Sequence, residues 1–65
     1  MLDDQDIYEI TSMSDTMLVH NMRCAERILA EPAKFPHADM DRVQARWAHM
    51  VGEIAGRALP EALTA

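Results

Sequence analysis

Residues 40–58, MDRVQARWAHMVGEIAGRA, decide how this chain folds. Apolar side chains recur at Met40, Val43, Trp47, Met50 and Ile54, in steps of three and four, which is the seam of a helix packed along one side. Turning that helix brings up a second face of small residues, Ala45, Ala48, Gly52, Ala55 and Gly56, where another backbone could come close. The remaining arc carries Arg42, Arg46, His49, Glu53 and Arg57 and reads as the solvated side. Each glycine costs a helix interior about 1 kcal/mol relative to alanine, so Gly52 and Gly56 call for a packing reason. The spacing of Ala48, Gly52 and Gly56 is the small-xxx-small pattern, best attested in membranes. A plainer account of Gly56, that it loosens the helix end ahead of Pro60, leaves Gly52 unexplained.

Upstream, Asp3 can cap a first helix, with Asp4 and Asp6 in the first turn where the helix dipole favours acids. Two adjacent apolar tracks follow, Ile10, Met13, Met17, Cys24, Ile28 and Ile7, Leu18, Met22, Ala25, Leu29. They cover more of the circumference than one partner helix requires. The spacing predicts a helix over about 3–30 with a weak spot at Thr11 to Thr16, because serine and threonine offer the backbone competing hydrogen bonds. Ser12 with Asp15 forms a capping-box pattern. A kink near 12–15 is therefore an alternative, with a short helix over 3–10 and the main one from about 13 to 30. Ser14 and Asn21 fall within the apolar arc. A polar group on a seam finds a partner across it and can select register, or else lies at the rim facing water.

Pro32 and Pro36 end the first helix by about Glu31, since residues before proline avoid the helical region. A loop over 31–38 is a usual length between antiparallel helices, and Phe35 is expected to fold back over the end of the pair. The second helix, about 37–58, starts at Pro36 or is capped by Asp39. The tail, 59–65, makes one further turn from Pro60 or stays extended.

The chain has 65 residues, a net charge of −5 and one cysteine, Cys24. A single domain of this length exposes much of its apolar surface, and needs staples, oligomerisation or very good helix packing. One cysteine excludes an internal disulfide framework and suits a reducing, cytoplasmic home. The acidic start, from Asp3 to Asp6, is unlike a cationic signal sequence, and no apolar run approaches the roughly 20 residues a membrane span needs. Seven acids and two bases precede Pro32, against four of each from there on. This concentrates Asp3, Asp4, Asp6, Glu9 and Asp15 on an acidic face, read either as a solvated surface or as a site for a basic protein partner.

Few residues suggest chemistry. His20 and Cys24 lie one helical turn apart and His49 could approach them across a hairpin, but structural zinc sites take four ligands and paired cysteines are absent. These three are weak metal candidates, and no metal or other cofactor is expected. Cys24 on an apolar track lacks the electropositive setting of a nucleophile. Ser12 and Ser14 have no base, and the acids have no apolar pocket to raise a pKa. No phosphate loop or zinc-protease motif occurs. Arg42, Arg46, His49 and Arg57 form a basic stripe, yet Glu53 interrupts it and the chain is acidic, unlike a nucleic-acid footprint. The six methionines suit a core, or an adaptable partner surface.

These residues predict an all-α domain over 1–65, an antiparallel two-helix hairpin that completes a helical bundle by oligomerisation or partner binding. Its core is Met40, Val43, Trp47, Met50 and Ile54 against Leu18, Met22 and Leu29. Its partner interface is Ala45, Ala48, Gly52, Ala55 and Gly56, with Asn21. The expected function is a non-enzymatic interaction or structural module, a homo-oligomer or a small subunit of a larger assembly. The alternative is an acidic inhibitor or antitoxin-like regulator on a basic site of an enzyme or nucleic-acid-binding protein. Protein is the expected partner, with no direct nucleic acid and no membrane.

Overall fold

Asp3 opens the first helix by accepting the Asp6 N–H at 2.9 Å, and α1 runs Asp4–Thr11. It stops there because Thr11 and the two serines supply other partners for the backbone. The Thr11 hydroxyl donates back to the carbonyls of Ile7 and Tyr8, at 3.0 and 3.2 Å. The chain then turns, and Ser14 stands in an extended conformation with its Oγ accepting the Met17 N–H at 3.2 Å. Ser14, rather than Ser12, is the cap of α2, Asp15–Ala30. The computed structural model describes residues 2–58, and over these it is all-helical, with three α-helices and no strand. Apolar periodicity by itself predicts one helix over about 3–30. The structure has two, since a local cap outweighs continuity where three polar hydroxyl side chains cluster.

The loop after α2 forms a 3-10 turn, Pro32–Lys34, closed by a Lys34–Glu31 ion pair at 2.6 Å. Phe35 is half-buried at the end of this turn and is not part of the hydrophobic core cluster. Asp39 caps α3, Met40–Gly56, by accepting the Arg42 N–H at 3.2 Å. Beyond α3, Ala58 has φ of 57°, and Gly56, two residues earlier, does not supply the left-handed residue. The tail over 59–65 lies outside the described residues.

α2 and α3 lie side by side in opposite directions. Glu26 accepts from the Trp47 indole N–H at 3.3 Å towards one end, and Asp15 pairs with Arg57 at 3.1 Å at the other. Leu18, Met22 and Ala25 meet Met50 and Ile54 between them, and Ile10 of α1 is buried in the same cluster. Val43 and Trp47 pack on this core partly buried, while Met40 and Leu29 are half-buried and stand outside it. α1 folds back and lies along α3, rather than along α2, in the same direction as α3. Complete burial of Ile10 contributes roughly 1.5–3 kcal/mol to holding it there.

Candidate interaction surface

α3 presents three faces, and the seam towards α2 is the first. The second is the arginine face, which is not a solvated side. Asp6 of α1 is only 2% exposed, and its Oδ1 accepts from Arg42 Nη2 at 2.7 Å and from Arg46 Nη1. Arg46 also reaches Glu9 at 3.3 Å. The Arg42 hydrogen bond, reinforced by Arg46 and opposed by burial, holds the Asp6 carboxyl down at about 2. Arg42 is raised in turn, chiefly by its bond to Asp6. Such a carboxylate can be buried because two guanidiniums donate to its Oδ1 and offset its charge.

Arg57 closes the far end of this face. Its guanidinium donates to the carbonyls of Met13 at 2.7 Å and Thr11 at 3.0 Å, and pairs with Asp15 and Glu53, each at 3.1 Å. Asp15 first, and Glu53 after it, raise the Arg57 pKa. Of the five acids read as one acidic face, Asp6, Glu9 and Asp15 are therefore bound to arginines of the same chain, and Asp3 is a helix cap. Asp4 is exposed at the start of α1. The physical reason is proximity: once α1 folds back, its acids fall within reach of the arginine stripe.

Among the described residues nothing covers the third face. Ala48, Gly52, Ala55 and Gly56 are exposed, and a Cβ built on either glycine would meet nothing within 4 Å. Among the described residues no close helix contact uses their small size. Ala45 is half-buried where α1 comes near, and it lines a shallow concavity with Leu2, Ile7, Ala48 and His49. The small-residue face thus continues onto an apolar patch. Among the described residues Ile7, Tyr8 and Met17 are the large hydrophobic residues left exposed, Tyr8 at 69%.

Asn21 belongs elsewhere. Its Nδ2 donates to the Met17 carbonyl at 2.8 Å within α2, so it makes no bond across the seam, and it lines a groove with Cys24, Ile28, Val43 and Arg46. Ser14 is likewise taken up by its cap. His20 and Cys24 are neighbours, Nε2 to Sγ 3.6 Å, but His49 sits in the Leu2 and Ile7 concavity. Among the described residues no three ligating side chains come together, and no helix is long and apolar enough to cross a membrane.

Comparison with known proteins yields no match, whether to a family model, a curated protein or a solved structure.

Sequence reasoning overlooked the cradle of Asp6, Glu9, Arg42, Arg46 and Arg57. One signal was available. Arg42 and Arg46 share a helix face one turn apart, and an acidic, well-capped segment precedes a serine-rich break that allows it to fold back.

Proposed function

We propose that the protein is a small non-enzymatic helical module, acting as a homo-oligomer or as a small subunit of a larger assembly. It docks through the open face of α3, Ala48, Gly52, Ala55 and Gly56, with the adjoining Leu2, Ile7 and Ala45 patch. One observation carries the reading. Gly52 and Gly56 have open space at the Cβ position, although each weakens α3 by about 1 kcal/mol relative to alanine. Their small size serves no contact among the described residues, and close approach of an external helix would use it. The inhibitor alternative draws less support, because Asp6, Glu9 and Asp15 are engaged within the chain.

Light scattering across a concentration series tests the reading, alone and with Gly52→Leu. The Cβ of a leucine there meets no described atom within 4 Å, so helix content is maintained while association weakens. An association that Gly52→Leu leaves unchanged would remove this face from the interface.

A further inference from the structure

We propose that α1 is an exchangeable arm. In a second state the turn at Ser12–Ser14 becomes helical and α1 runs on into α2 as one helix from Asp4 to Ala30. α1 then leaves the arginine cradle of its own α3 for that of a second copy of the chain, which returns its own α1.

The break is held in part by groups that stand in for helix hydrogen bonds. In a continuous helix the Asp15 N–H would bond the Thr11 carbonyl, and the Met17 N–H the Met13 carbonyl. In the folded-back chain both carbonyls accept from Arg57 instead, and the Met17 N–H is taken by Ser14 Oγ. The alternative helix is already written in the pattern, since Ile10, Met13 and Met17 continue one apolar track through the break. A sequence that offers these three groups a partner in either backbone state can hinge there.

Charge complementarity names the occupant. The cradle of Arg42 and Arg46 binds a carboxylate at position 6 and a second one at position 9, one turn before a buried isoleucine. An arm that lifts away leaves both guanidiniums and the Ile10 socket unfilled, and α1 of another copy carries the matching set. The directions agree as well. α1 lies parallel to the α3 that holds it, whereas α2 runs against its own α3. A straightened helix carries α1 in the direction of α2, so the receiving α3 must run opposite to the donor's, as in a two-fold pair in which each chain gives and receives an arm. The contacts of Asp6, Glu9 and Ile10 with α3 re-form in that pair, while the Arg57 bonds to the Thr11 and Met13 carbonyls give way to helix hydrogen bonds, so the hinge and the chain concentration set the balance. The open Gly52 face is not used, so this inference stands apart from the proposed docking through it.

The test pairs two hinge variants. Ser12→Ala with Ser14→Ala removes the α2 cap and favours helix through the turn. Asp15→Pro forbids that helix and fits the folded-back form, because proline suits a first helical position and Ser14, at φ −65° and ψ 162°, already has the conformation of a residue preceding proline. Each is made in a Cys24→Ser background with Ile7→Cys and Ala48→Cys, two positions that line one concavity, and joined with a short bis-maleimide. The double alanine variant should dimerise at a concentration at least about tenfold lower than the parent and cross-link between chains. The proline variant should stay monomeric and cross-link within the chain. A double alanine variant that is monomeric throughout, or dimeric with cross-links only within chains, overturns the proposal. If that variant does not fold, the parent against Asp15→Pro decides, with cross-links between chains expected at millimolar concentration in the parent only. Adding Gly52→Leu separates the two readings. A dimer that it abolishes runs through the open face of α3 and overturns arm exchange, while a dimer that survives it is the exchanged one.

Discussion

Arg57 donates from Nη1 to the carbonyl oxygen of Met13 at 2.7 Å, joining the C-terminal end of α3 to the turn between α1 and α2. The contact spans most of the chain and lands on a carbonyl freed by the helix break. It is one of four partners of the same guanidinium, so a single side chain ties together all three helices. Arg57→Ala leaves the Thr11 and Met13 carbonyls without this donor, and should lower the thermal midpoint by about 5–10 °C for a chain of this size. Arg57→Lys should recover little of it, since an ammonium group cannot reproduce the planar fork. Melting followed by far-ultraviolet circular dichroism compares the three, and equal midpoints for the alanine variant and the parent would contradict the assignment.

Asp6 makes stability depend on pH in an acid window. Its carboxyl ionises at about 2 in the folded chain against an ordinary 3.8. A group lowered on folding contributes fully above its unfolded pKa and loses that contribution as pH falls through the folded value. The docking of α1 should therefore be constant above about pH 4 and weaken from pH 4 to pH 2. Asp6→Asn should be less stable at pH 7 and lose that part of the acid slope. The quantity to follow is the unfolding midpoint read by Trp47 fluorescence, and an unaltered slope in Asp6→Asn would remove Asp6 as the cause.

Gly52→Ala should stabilise the isolated chain by about 1 kcal/mol, because the added methyl meets no atom within 4 Å and alanine is the better helix former. Urea unfolding at a concentration below any association measures it. A destabilised variant under those conditions would mean that the face is already covered.

Ala58 adopts φ of 57°, a conformation that a Cβ disfavours. Ala58→Gly should stabilise by about 0.5–1 kcal/mol through relief at the α3 end. The same unfolding experiment detects it, and no gain would indicate that the left-handed cap does not persist in solution.

Local signals carried much of the outcome and long-range ones did not. Asp3 and Asp39 were legible as caps because capping is a contact over three residues, and the seam of Met50 and Ile54 was legible because burial follows helical period. The break at Ser12–Ser14 was visible as a weak point, yet its consequence was not. Periodicity reports which side of a helix is apolar and is silent on whether a segment folds back upon another. Once α1 does so, Asp6 changes from a surface acid to a buried one, and the arginines of α3 change from a solvated stripe to its partners.

The amino-acid order alone thus determined that this chain is helical, that Asp3 and Asp39 can cap its first and last helices, and that α3 holds small residues on one side. Those properties depend on neighbours within one or two turns, which any reading of the order contains. Only the tertiary structure decided that α1 lies on α3 and that Arg57 holds the turn. It also decided that Asp6 is buried between two guanidiniums while the Gly52 face is left open. Those depend on residues 36 to 46 positions apart, brought together by the reversal of the chain between α1 and α2.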